Sequence, residues 1–185
     1  MELFEKTLEK NYVYQGKIIN VCRDTVELPN GKTSIREKVE HNGGVCVAPI
    51  TANNELIFVR QFRYAYDTVL LELPAGKLEK GEDPFEAGKR ELEEETGFVA
   101  GKYYDLGKFY PTPGYCAEII HLYAAADLTA TAMHLDEDEF LNVELIPIEK
   151  AYEMVMSGEI RDGKTQVLIL KVVNMINSGI IGGKE

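Results

Sequence analysis

The stretch Pro84 to Thr96, PFEAGKRELEEET, restricts this chain more than any other part of it. Pro84 follows Glu82-Asp83 and suits a first helical position, where its missing N–H would have had no partner. Gly97 stops the pattern, so a helix is predicted over 84–96. On that helix Glu91, Glu94 and Glu95 stand at i, i+3 and i+4, and their carboxylates share one face. At ~5 Å and an effective dielectric near 20, each like-charge pair costs roughly 3 kcal/mol. Arg90, four residues before Glu94, offsets part of this but lies partly off the same face. A hard cation taking oxygen ligands is the simpler compensation, and Mg²⁺ suits a site that leaves room for phosphate. A glutamate run taken alone is also what a solvated helix face looks like. The order of residues around it has to decide.

With 185 residues, 45% hydrophobic and 28% charged, the chain has the makings of one globular domain with a small appendage. Thirty-one acids against twenty bases, a formal charge of −11, disfavour a nucleic-acid binder that works through clustered Lys and Arg. They allow an enzyme of phosphate compounds if divalent cations invert the local field. Cys22, Cys46 and Cys116 are odd in number and far apart, with no CxxC, so neither a zinc ribbon nor a disulfide framework is expected. The N-terminal MELFEKTLEKNYVYQGK has no apolar signal core, and no apolar run approaches 18 residues. A cytoplasmic protein with no membrane partner is expected.

Residues 17–28 read as a strand, Asn30-Gly31 as a two-residue turn, and TSIREKVEH as the returning arm of a hairpin. Further strands are expected at 45–51, 55–63, 69–73, 102–109, 119–126 and 140–146, with Pro74-Ala75-Gly76 as a break. Helices follow at 149–157 and 164–178. Strands flanking a helix, with helices at the end, imply an α/β fold with a mixed sheet between helices. Residues 1–40 are expected to form a separate β element offering a dimer contact, and 41–185 the main domain.

From Gly76 to Phe98 the sequence resembles the Nudix box, G-x5-E-x7-R-E-U-x-E-E-x-G-U, where U is a bulky aliphatic residue. Gly76, Glu82, Arg90, Glu91, Leu92, Glu94, Glu95 and Gly97 fall in register, and only Phe98, aromatic at an aliphatic position, departs. The resemblance implies a Nudix-type α/β/α sandwich that binds Mg²⁺, or Mn²⁺ in its place, and hydrolyses a diphosphate joined to a nucleoside. It makes Glu91, Glu94, Glu95 and the carbonyl of Ala75 the metal ligands, Glu91 and Glu95 being catalytic through the metal. Glu82 and Arg90 become a structural ion pair, and Leu92 a core residue.

Outside the box, Val59-Arg60-Gln61-Phe62-Arg63 and Leu71-Glu72-Leu73-Pro74-Ala75-Gly76 are similar to the ADP-ribose pyrophosphatases of this superfamily. That resemblance gives Arg63 a diphosphate contact, which a guanidinium fork suits; an exposed strand charge is its alternative. Pro113, fifteen residues beyond Phe98, matches a proline that marks the subfamily, an ordinary turn proline being its alternative, and Glu118 is a candidate for substrate or loop contacts. In Asp136-Glu-Asp-Glu139, Glu139 is implied as a further metal ligand and Glu137 as the water-activating base; a solvated acidic turn is the alternative. Arg36 resembles an arginine that approaches substrate from the small β domain, which relatives swap between subunits; cross-strand pairing is its alternative. Tyr12 and Tyr14 could stack on adenine or simply pack at a surface. His41, His121 and His134 show no metal-ligand spacing.

The expected activity is Mg²⁺-dependent hydrolysis of ADP-ribose to AMP and ribose 5-phosphate by a homodimer. Another nucleoside diphosphate sugar, such as GDP-mannose or UDP-glucose, is the alternative substrate. A sensor that binds ADP-ribose without turning it over, or an acidic cation-binding protein, are the alternatives in other classes.

Overall fold

The computed structural model describes residues 3–135, 137 and 139–181. By its contacts the chain divides into two compact units. One is the chain up to Gly43 together with Tyr110–Ile119; the other is Gly44–Phe109 together with the chain from Ile120 onward.

The first unit is an antiparallel sheet of β1 (Lys6–Glu9), β2 (Tyr12–Gln15), β3 (Ile19–Glu27) and β4 (Thr33–His41), with β3 pairing all the others. The β3–β4 hairpin closes through Leu28 N–H on the Lys32 carbonyl at 2.8 Å. Its loop is therefore Pro29-Asn30-Gly31, with Gly31 left-handed at φ 77°, and not the bare Asn-Gly pair expected. Three-residue hairpin loops need that conformation at their last position, where glycine meets no steric penalty. Segment 110–119 joins this unit: Val39 N–H donates to Tyr115 at 2.8 Å, and Val39 accepts from Ala117 at 2.9 Å.

The second unit contains β5 (Gly44–Pro49), β6 (Glu55–Arg63), β7 (Thr68–Glu72), β8 (Ala75–Lys77), α1 (Pro84–Thr96), β9 (Phe98–Phe109), β10 (Ile120–Ala130), β11 (Leu141–Pro147), α2 (Ile148–Met156) and α3 (Gly163–Asn177). One sheet runs β8-β5-β10-β9 and is mixed, β5 lying parallel to β10 with antiparallel neighbours outside them. The other, β11-β6-β7, is antiparallel.

Every residue of β5 is buried, and the strand's alternation divides it between two cores. Cys46 and Ala48, with Leu122 and Ala124 of β10, pack against Met154 of α2 and Leu168, Ile169 and Val172 of α3. Val45 and Val47, with Tyr123 and Ala125, pack against Ala87 and Leu92 of α1. A strand covered on both faces reads as an unbroken apolar run, as GVCVAP does. The result is the expected α/β/α sandwich around a mixed sheet.

Helix α1 runs over the predicted residues. The Asp83 side chain accepts from the N–H groups of Phe85 at 3.0 Å and Glu86 at 3.2 Å, Pro84 follows it, and Gly97 caps the other end at φ 70°. The sequence reading misses β1, β2 and β8, and cuts β9 and β10 short. β8 is a short strand at a Pro-Ala-Gly sequence that by itself signals a break.

Candidate active site

The inward face of α1 carries Ala87, Gly88, Glu91, Leu92, Glu95 and Thr96. Leu92 is completely buried, as expected, and the same helical stripe takes the Glu91 and Glu95 carboxylates inward with it. Glu94, on the flank, stays half-buried. Strand β8 lies directly against these acids. The Ala75 N–H donates to Glu95 Oε2 at 2.9 Å. At Gly76, a Cβ would stand 1.8 Å from Glu91 Oε1. Glycine is required here by close approach, not by an unusual φ.

The loop before the helix is tied down by the expected pair: Arg90 Nε donates to Glu82 Oε1 at 3.0 Å and Nη2 to Oε2 at 3.2 Å. The Arg90 guanidinium beside it holds Glu82 below the ordinary carboxylate range. Arg90 also reaches further across the acidic face than helical spacing suggested. Its Nη1 lies 2.9 Å from Glu91 Oε1 and 2.8 Å from Glu94 Oε2, because its long side chain spans more than one turn. One guanidinium thus serves three carboxylates.

That cation does not balance the site. Burial pushes Glu91 up to about 7, Arg90 only partly opposing it while Glu94 and Glu139 add repulsion. Glu95 is raised well above the usual range, first by burial and then by the charges of Glu139 and Glu91. Carboxylates kept in such surroundings call for a cation or a proton. Among the described residues, no three His, Cys, Asp or Glu side chains converge on a point that could hold a metal ion as they stand. Glu94 is turned to Arg90, and one Glu95 oxygen is taken by Ala75. The donor chemistry nevertheless fits a hard divalent cation: only oxygens, with excess negative charge, in a cradle that a Cβ at residue 76 would fill.

Of the other residues singled out from sequence, Glu139 accepts from Gln61 Nε2 at 2.9 Å and acts on both Glu91 and Glu95. Glu137 is exposed; Asp136 and Asp138 lie outside the described residues. Arg63 sits at the end of β6, its Nε and Nη2 donating to the two oxygens of Glu72 at 2.6 and 2.7 Å. It is also close enough to favour the charged form of Glu95.

Arg36, Pro113 and Glu118 belong to the first unit. There Arg36 makes a two-pronged pair with Glu5 at 2.8 and 2.6 Å, Pro113 is exposed in a turn, and Glu118 lies 3.5 Å from His41 Nδ1. Tyr12 donates to Glu40 at 3.2 Å, with the Lys10 ammonium over its ring. Sequence reasoning missed Glu72, Gln61 and Lys164. For Glu72 there was a signal, a carboxylate inside the apolar run Val69–Leu73; for Lys164, at the start of an ordinary helix, there was none.

These features, a mixed-sheet sandwich with a glycine loop pressed on a helix of buried acids, define a hydrolase fold of the Nudix kind. Comparison with known proteins agrees. Residues 40–170 match the Nudix domain, and residues 5–39 match the nucleoside diphosphate sugar hydrolase N-terminal domain. The chain is 44% identical to an ADP-ribose pyrophosphatase of Bacillus subtilis, covering 90% of this chain and 91% of that one. It is 42% identical to a methanol dehydrogenase activator of Bacillus methanolicus (89% and 90% covered). It is 35% identical to a GDP-mannose pyrophosphatase of Salmonella arizonae (92% and 93% covered). In fold it matches a solved structure described as an ADP compounds hydrolase, with a TM-score of 0.85 over all of both chains at 23% identity. The chain belongs to the Nudix family, among hydrolases of the ADP-ribose pyrophosphatase type. No helix among the described residues is long and apolar enough to cross a membrane.

Proposed function

We propose that this protein hydrolyses the diphosphate of nucleoside diphosphate sugars, with ADP-ribose as its substrate and AMP and ribose 5-phosphate as products. The observation that carries this is the burial of Glu91 and Glu95 against the Gly76 loop with too little positive charge to balance them. Glu91, Glu94 and Glu95, with the Ala75 carbonyl and Glu139, are the proposed ligands of Mg²⁺, for which Mn²⁺ can substitute. Bound there, the cation would neutralise phosphate oxygens and acidify a water for in-line attack.

The chain's own side chains do the rest. Glu137, exposed and in a turn, is free to approach a water once substrate is present and to take its proton as general base. Gln61, donating to Glu139, fixes the direction of that carboxylate. Arg63 binds the diphosphate with its partly exposed guanidinium. Arg36, Pro113 and Glu118 are proposed as substrate-binding residues on the strength of the sequence resemblance alone. The apolar side chains that the first unit exposes, Leu3, Phe4, Val13 and Tyr14 among them, suit a homodimer contact. The proposed location is the cytoplasm.

Likeness to a GDP-mannose pyrophosphatase keeps a second substrate in view. Purified protein incubated with Mg²⁺ and ADP-ribose, GDP-mannose or UDP-glucose in turn decides between them by kcat/KM. The expected result is AMP release and the highest kcat/KM with ADP-ribose. Tight binding of ADP-ribose with no AMP formed would make the protein a sensor instead.

A further inference from the structure

Behind Arg63 lies a group of charges that the proposed reaction does not use. Glu72, at the end of β7, has a side chain only 1% exposed, whereas that of Arg63 is 37% exposed. One edge of the Arg63 guanidinium is held by both Glu72 oxygens. Glu72 Oε2 also receives the ammonium of Lys164, in the first turn of α3. Lys164 in turn lies 3.0 Å from Oδ2 of Asp162, the N-cap of α3, whose same oxygen accepts from Thr165 N–H at 3.0 Å. Next to this chain of charges, the Leu73 N–H donates to the buried Thr165 hydroxyl at 2.9 Å. The end of β7 is therefore anchored twice to one helical turn.

Stability alone does not account for this arrangement. Buried ion pairs commonly stabilise no more than well-packed apolar side chains of the same volume, so their gain is more often a fixed geometry. Arg63 with Glu72 alone would already be neutral. Lys164 adds a second cation to Glu72 and leaves that carboxylate a single orientation. The guanidinium plane docked on it is then fixed as well, while the Arg63 side chain stays 37% exposed.

Resting on the reading of Arg63 as a diphosphate ligand, we propose that Lys164 is a positioning residue: through Glu72 it sets the direction in which Arg63 meets the substrate. The single positive charge that Arg63 presents is thereby oriented before substrate arrives, which removes an ordering cost from binding.

The test is a double-mutant cycle of Lys164→Met, Arg63→Met and the pair, with Lys164→Arg as the conservative variant. kcat and KM are measured with ADP-ribose and Mg²⁺, ADP-ribose affinity by calorimetry in EDTA, and Mn²⁺ affinity without substrate by electron paramagnetic resonance. Lys164→Met is expected to raise KM roughly 5–10-fold with kcat within about 2-fold, and to weaken calorimetric binding by the same factor. In the Arg63→Met background it adds less than about 2-fold, Mn²⁺ affinity is unchanged throughout, and Lys164→Arg recovers KM. An equal effect with and without Arg63 overturns the proposal, as does a parallel loss of Mn²⁺ affinity, which would place the action of Lys164 on the β7–β8 loop. Arg63→Met with unaltered substrate affinity overturns it too. Absence of turnover by the wild-type chain is a separate failure, of the hydrolase reading, and the calorimetric cycle still answers for Lys164. Should Lys164→Met not fold, Lys164→Gln carries the same comparison.

Discussion

Gly76 and Glu91 are in contact so close that residue 76 has no room for a side chain: its Cβ would fall 1.8 Å from one carboxylate oxygen and 2.3 Å from the other. The atoms in the way are the far end of a flexible side chain, so Gly76→Ala should displace the Glu91 carboxylate and leave the fold standing. We expect Mn²⁺ affinity to drop about 10-fold or more while the melting midpoint moves by no more than about 3 °C. Calorimetric Mn²⁺ titration beside a thermal melt checks both. Unchanged metal affinity would remove Glu91 from the ligand set.

The acidic face should also show itself in the metal-free protein's response to pH. Glu91 holds its proton up to about 7 in the folded chain, against 4.5 for an ordinary glutamate. Because the folded state binds this proton more tightly, its contribution to stability is complete below about 4.5 and lost as pH rises through 7. In EDTA, the stability of wild type minus that of Glu91→Gln should therefore fall across this window. Mg²⁺, which favours the charged carboxylate, should lessen the fall. Urea midpoints at half-unit pH steps would show it, and a difference that is level or rising would contradict it.

Glu94→Gln and Glu95→Gln each remove a proposed ligand charge. Each should lower kcat by about 100-fold or more, since a bound cation contributes several kcal/mol to stabilising phosphoryl charge. Near-normal AMP production by either variant would contradict its assignment.

For Glu137→Gln the expected loss in kcat is about 10²–10⁴-fold, the usual range for a general base, with Mn²⁺ affinity preserved. Glu139→Gln, by contrast, should weaken Mn²⁺ binding. Stopped-time product assays with metal titration on both variants separate base from ligand, and the reverse pattern would exchange the two roles.

A chain of net charge −11 repels a diphosphate. EDTA should therefore abolish turnover and also weaken ADP-ribose binding. Calorimetry with and without the chelator measures the second effect, and equal affinities would refute it.

Much of this molecule was legible in the primary structure because its signals are local. The bounds of α1 follow from Asp83, Pro84 and Gly97, whose backbone preferences act within one turn. Helical period put Glu91, Glu94 and Glu95 on one face, of which Glu91 and Glu95 turn inward, and the core position of Leu92 was read from the resemblance. The Glu82–Arg90 pair was read from a resemblance and is met in the structure at 3.0 Å. Strand β8 was hidden because Pro74-Ala75-Gly76 signals a break, and only pairing with Val45 and Cys46 makes it a strand. Strands β1 and β2 carry exposed residues throughout, so no buried face marked them.

The helix of acids, its caps and the apolar strand β5 were decided by the residues of the chain alone. All depend on residues a few positions apart, where spacing dictates direction. Only the tertiary structure could bring Lys164 to Glu72 and Glu72 to Arg63, or seat Gln61 on Glu139. Those partners come from different strands, helices and loops, and their meeting depends on how sheets and helices stack, for which no local periodicity leaves a trace.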